Sequence, residues 1–303
     1  MAKVETPAVD CVLDQRAMLG ETPFWSEAEQ ALYWINCEAE PALQRFDPRT
    51  GKNQVWAMPE RIGALALSEC GGVIVALASG VFSCDLASGR LRCMARNAAS
   101  NLALHEGKCD RQGRFWIGSL DQGLTGLERA TEAVIHRLDG GRLSVMIRGI
   151  RVVTNGLAWS PDGRRMYWAD STGREIFVAD YDGETGTPRN QQSLATVEKQ
   201  AGIPDGAAVD ADGGYWTALF RGSRLRRYTS RGRVDREVQL PISQPTMLAF
   251  GGRDFRTVYL TSTRVRLPTD DDSMNGGLFA LDLGVQGLPE PLFRHRPVDV
   301  SQI

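Results

Sequence analysis

The chain has 303 residues, with 35 Lys and Arg against 37 Asp and Glu, a formal net charge of −2 and 42% apolar residues. So balanced a charge excludes strong non-specific attraction to nucleic acid or anionic lipid. No run approaches the roughly 20 apolar residues of a membrane-spanning helix, so neither nucleic acid nor a membrane is an expected partner.

The opening residues 1–7 lack the apolar segment of a signal peptide. Residues 11–14 read as an isolated strand. From residue 23 onward one grammar repeats: an apolar phrase, a Gly/Asp-rich turn, a second apolar phrase. The pairs are 23–26 with 33–34, 65–68 with 73–75, 108–110 with 115–117, 157–160 with 167–168, 207–210 with 215–216, and 248–250 with 258–260. Their anchors Ser26, Ser68, Asp110, Ser160, Asp210 and Gly251 are spaced by about 41 to 50 residues, the length of a four-stranded unit. Six such units predict an all-β, six-bladed β-propeller with a central channel. Such rings run long as one unit, so a single domain over residues 1–303 is expected.

Further strands with Asp-containing turns closed by Gly follow at 42–52, 81–90, 175–186 and 277–283. The strand at 11–14 is placed to pair with the last blade and close the ring, removing free sheet edges. The stretch 188–204 reads as a strand flanked by long loops. Four arginines, Arg221, Arg224, Arg226 and Arg227, read as one solvated strand face. The six cysteines show no C-x-x-C pair and no zinc-finger spacing. They read as reduced thiols, which with the missing leader predicts a cytoplasmic location.

Glu21, Asn155 and Asp205 stand just before the first, fourth and fifth repeat phrases. Singly, each fits an ordinary turn, since Asn-Gly and Asp-Gly are common turn pairs. Jointly they occupy one register, and a propeller turns equivalent positions toward one channel. Two carboxylates and an amide oxygen suit a hard divalent cation and leave positions open for water or substrate oxygens. Ca²⁺, Zn²⁺, Mn²⁺ and Mg²⁺ all accept such donors. No Gly-x-Ser-x-Gly elbow, nucleotide-binding glycine motif or His/Cys zinc spacing competes with this reading.

The phrases Gly20-Glu21-Thr22-Pro23-Phe24-Trp25, Asn155-Gly156-Leu157-Ala158-Trp159-Ser160-Pro161-Asp162-Gly163 and Pro204-Asp205-Gly206 resemble the senescence-marker-protein/gluconolactonase (regucalcin-like) family. The resemblance runs from about residue 19 to residue 264. It implies a six-bladed propeller holding one catalytic divalent metal through Glu21, Asn155 and Asp205. It implies hydrolysis of a small cyclic ester of the aldonolactone type, with Asp205 as both ligand and general base.

The resemblance breaks at one place. Where the family reads Arg-x-Asn-Asp-Gly-x-x-Asp, this chain has Ala103-Leu104-His105-Glu106-Gly107-Lys108-Cys109-Asp110. Ala103 offers no bidentate anchor to a substrate oxygen, and His105 replaces an amide with an imidazole. His105 and Glu106 are therefore expected to bind substrate, on a pocket side rebuilt for a ring other than simple gluconolactone. Trp25 and Phe24 are expected in blade core. The expected partner is a small cyclic molecule, and the expected assembly a monomer or small homo-oligomer. A calcium-binding regulatory propeller without turnover, and an interaction scaffold, are the readings from other classes.

Overall fold

Each repeat folds into a sheet because its phrases alternate β-branched or aromatic residues with small ones, and its turns carry residues that close hairpins. Asp47, Asp85 and Asp182 cap their turns, each accepting the amide two residues on at 2.9 Å. Gly51, Gly89 and Gly186 then take the left-handed conformation that ends the turn. In the computed structural model, which describes residues 2–99, 101–121, 132–268, 270–271 and 273–295, these hairpins build six four-stranded antiparallel blades.

The inner strands are Gly20–Ser26, Ile62–Leu67, Leu102–Cys109, Thr154–Trp159, Ile203–Val209 and Pro245–Gly251. Each touches the next, and the last touches the first, so the blades form a closed ring. Closure depends on the N-terminal segment. Val9–Leu13 pairs antiparallel with Leu278–Asp282 and supplies the outer strand of blade 6, as the strand at 11–14 predicted. Lys3–Glu5 adds a parallel fifth strand to blade 5, which the sequence reading did not anticipate. Glu5 grips Arg236 there at 2.6 and 2.9 Å.

The core lies between blades rather than at one centre. Trp34, Trp116, Trp168 and Trp216, all fully buried, lie on the second strands of blades 1, 3, 4 and 5 and fill the spaces between neighbouring blades. Trp25 and Phe24 belong to this packing. The stretch 188–204 is not a strand flanked by long loops: it holds most of the long outer strand Thr187–Thr196 of blade 4, then a short 3-10 turn at Lys199–Ala201 and the start of blade 5's inner strand at Ile203. The arginine-rich strand of blade 5 departs from expectation. Arg226 is buried against Glu198 and Glu237, Arg227 is half-buried against Asp210 and Asp235, and Arg224 pairs with Glu237. The acids arrive from the neighbouring strand, from the turn after Val209 and from the loop before Lys199, which local charge spacing does not reveal. All six cysteines are free thiols. No helix among the described residues is long and apolar enough to cross a membrane.

Candidate active site

Every inner strand breaks its pairing once, at the same register. The irregularities fall between Glu21 and Phe24, Ile62 and Ala64, His105 and Gly107, Asn155 and Ala158, Pro204 and Ala207, and Pro245 and Leu248. A bulge bends a strand and re-aims a side chain. The sequence reading set Glu21, Asn155 and Asp205 just before their strands; they lie inside them, because pairing resumes beyond the bulge. Thr22 and Glu106 take left-handed backbone at the bulges, with φ 45° and 44°. At Gly156 the same conformation is eased by glycine, and a Cβ there would fall 2.3 Å from the Tyr215 hydroxyl oxygen.

Glu21, Asn155, Asp205, His105 and Glu106 are all buried. Glu21 and Glu106 act on each other electrostatically, and both act on Asp205, so blades 1, 3 and 5 bring three carboxyl groups together. Burial, then the repulsion from Glu106, pushes Glu21 up to about 8. Burial, then Glu21 and Glu106, holds Asp205 well above the usual carboxylate range. Neither carboxylate has a basic partner in an ion pair among the described residues. Among the described residues Glu21 accepts only the adjacent Thr22 amide, at 3.3 Å.

Asn155 completes the set. Its Nδ2 donates to Ser171 Oγ at 2.9 Å, and that hydroxyl donates to the Pro204 carbonyl at 2.7 Å. Its Oδ1 is buried without a hydrogen-bond partner among the described residues. An orphaned amide oxygen beside two repelling carboxylates is costly unless something positive binds there. The residues present therefore fit a hard divalent cation held by Glu21, Asn155 and Asp205. Among the described residues, no cluster of three or more His, Cys, Asp or Glu side chains has metal-site geometry; the third donor here is an amide.

Glu106 is already engaged. Its Oε2 accepts the Gly156 amide at 2.8 Å and its Oε1 the Leu157 amide at 2.6 Å. The bulge after Asn155 frees those two amides, and buried N–H groups need acceptors. Burial raises Glu106 to about 7, against the pull of the Leu157 and Gly156 amides and Lys108. Its observed contacts thus support the turn that carries Asn155.

His105 is buried, with Nδ1 3.1 Å from the Arg61 guanidinium. Burial, then the charge of Arg61, lowers it to about 3, with Asn155 opposing. Arg61 was not among the sequence candidates. It donates to the Leu104 carbonyl at 3.0 Å and sits 3.4 Å from Glu38. A cation thus stands one blade away from Ala103, itself 2% exposed. Nothing in the local pattern around Arg61 marks it; only the packing of blade 2 on blade 3 does.

In this six-bladed ring, blades 1, 4 and 5 carry buried oxygen donors at equivalent bulges. The chain belongs to the SMP-30/gluconolactonase/LRE-like family, whose model matches residues 19–264. It is 39% identical over 290 residues to 6-deoxy-6-sulfogluconolactonase of Pseudomonas putida, covering 93% of this chain and 97% of that protein. It is 34% identical over 290 residues to L-arabinolactonase of Azospirillum brasilense, covering 94% and 95%. The solved structure of regucalcin from Agrobacterium tumefaciens, a calcium-binding protein, matches with a TM-score of 0.90 at 26% identity, covering 97% of this chain and all of that one.

Proposed function

We propose that the protein is a divalent-metal-dependent lactonase that opens a small, sugar-type cyclic ester, with Asp205 as cation ligand and general base. One observation carries the reading: among the described residues Glu21 and Asp205 form no ion pair and take no hydrogen bond beyond an adjacent backbone amide, and Asn155 Oδ1 takes none. The names of the two lactonase relatives support the substrate class.

Bound here, a divalent cation supplies charge stabilisation at the lactone carbonyl oxygen and makes water more acidic. Glu21 and Asn155 hold it, and Ser171 fixes which end of the Asn155 amide faces it. Asp205 takes a proton from water as the water oxygen bonds to the carbonyl carbon. The ring C–O bond then breaks, and the departing ring oxygen receives that proton from Asp205. A desolvated carboxylate is a stronger base than an exposed one, which offsets part of the lowering a bound cation imposes. His105 lies on the substrate side. Glu106 acts by holding the Asn155 turn, and any contact with substrate is secondary to that. With Ala103 giving no anchor, simple gluconolactone is expected to be a poor substrate.

The test is acid release from a panel of sugar and non-sugar lactones, using stripped protein reloaded with Ca²⁺, Zn²⁺, Mn²⁺ or Mg²⁺. Turnover should require the cation. Full activity in chelator, with metal analysis finding the protein empty, would sink the proposal. Tight cation binding with no lactone opened would favour a calcium-binding propeller without turnover.

A further inference from the structure

We infer that residues 284–294 form a releasable stopper: they close the channel end away from Asp205, the buried Lys108–Glu290 pair latches them, and they let go without unfolding a blade.

The bulges that carry Glu21, Asn155 and Asp205 lie near the starts of the inner strands. The segment after the last strand runs past the other ends. The Gln286 carbonyl accepts the Ala211 amide of blade 5 at 2.8 Å, and the Gly287 amide donates to the Phe255 carbonyl of blade 6 at 2.8 Å. Glycine is required there, because a Cβ would fall 2.0 Å from the Phe250 ring. Further on, the Phe293 amide donates to the Leu67 carbonyl of blade 2 at 2.7 Å, and the Arg294 amide to the Gly113 carbonyl of blade 3 at 2.8 Å. Blades 5 and 2, and blades 6 and 3, face each other across a six-membered ring. The segment therefore crosses the opening instead of following its rim. With it in place, a small ligand reaches Asp205 from the bulge end.

Glu290 sits within the crossing. Its Oε1 accepts Lys108 Nζ at 2.8 Å, and the same ammonium donates to the Ala207 carbonyl at 3.0 Å. Lys108 belongs to the inner strand of blade 3 and Ala207 to that of blade 5, so the lysine reaches through the channel past blade 4. The Lys108 and Glu290 side chains are only 7% and 15% exposed. Removing one member of so buried a pair leaves the other uncompensated. Elsewhere the segment is held by isolated hydrogen bonds, one bridge between Phe293 and Ser68, and the buried Phe293 ring. A segment attached at scattered points opens at lower free energy than the sheets beneath it. Release would uncover Cys109, which lines the gap under Glu290 and Pro291 and shares a core cluster with Phe293.

The test is N-ethylmaleimide labelling of the full chain, with each cysteine followed by mass mapping of its peptide. Cys70 and Cys93 are exposed and give the fast reference; Cys37, Cys84 and Cys109 are buried. In wild type Cys109 should be protected in buffer. In urea short of global unfolding it should react before Cys37 and Cys84. Glu290→Gln and Lys108→Met should each speed Cys109 about 10-fold or more and leave Cys37 and Cys84 unchanged. Lys108→Met combined with Glu290→Met should recover protection, since an apolar pair then replaces the ionic one. Wild-type Cys109 as reactive as Cys70 would show an open far end and overturn the inference. So would Cys109 reacting only together with Cys37 and Cys84, because segment and blades then unfold as one. Single variants labelling at the wild-type rate, or a double variant without recovery, would show that the pair is no latch. Should the variants fail to fold, the urea series on wild type decides.

Discussion

The inner strand of blade 5 carries Asp205 near its start and meets Asp210 just past its end, and that of blade 3 carries Glu106 at its bulge and meets Asp110 just past its end. All four carboxyl groups are buried. Asp210 receives the Asp212 and Gly214 amides, the Trp216 indole and two Arg227 nitrogens. Asp110 receives the Gln112 and Arg114 amides, the Arg114 guanidinium, the Trp116 indole and the Tyr181 hydroxyl. Glu106 takes two amides, and among the described residues Asp205 has only its neighbour Gly206. Burial is therefore the same at both ends, and satisfaction is not. An acid surrounded by donors holds a blade together. An acid left bare beside another acid carries an uncompensated repulsion.

The sharpest way to break this contrast is at Asp205. Asp205→Asn should reduce lactone turnover on the order of 10³-fold, and metal-free protein should become more resistant to heat, because a buried repulsion is gone. A metal-free variant melting below wild type would show that Asp205 has an unsuspected structural partner. Asp210→Ala should do the reverse. It strands Arg227 and the Trp216 indole, and should cost about 3–5 kcal/mol in denaturant unfolding. Turnover per folded molecule should persist.

Solution pH sharpens the contrast further. Glu21 keeps its proton in the folded protein up to about 8, against an ordinary 4.5. Between those values the unfolded chain has lost the proton and the folded one retains it. Stability of metal-free protein from this group is full below about 4.5 and falls as pH rises through about 8. Melting curves across that window should slope downward without metal and flatten with it. A metal-free curve that rises instead would contradict the bare-carboxylate picture. The smallest effect is expected far from the channel. Glu5→Gln weakens the pair with Arg236 at the added edge strand, and should cost no more than about 1 kcal/mol by thermal or chemical unfolding.

The sequence by itself determined the six repeats, their Asp-to-Gly turns, the closing role of the strand around Cys11, and the shared register of Glu21, Asn155 and Asp205. Each of these is local or periodic, and period is visible in one dimension. It also located the break at Ala103, His105 and Glu106. Only the tertiary structure decided what the break means. It placed the carboxylate of Glu106 on the Gly156 and Leu157 amides, brought Arg61 onto His105 past Gly63, and paired Arg226 and Arg227 with distant acids. Those contacts cross between blades or between distant strands. They depend on where bulges free backbone amides and where a missing side chain lets strands approach. No spacing along the chain encodes that, because the partners share a neighbourhood only once the ring has closed.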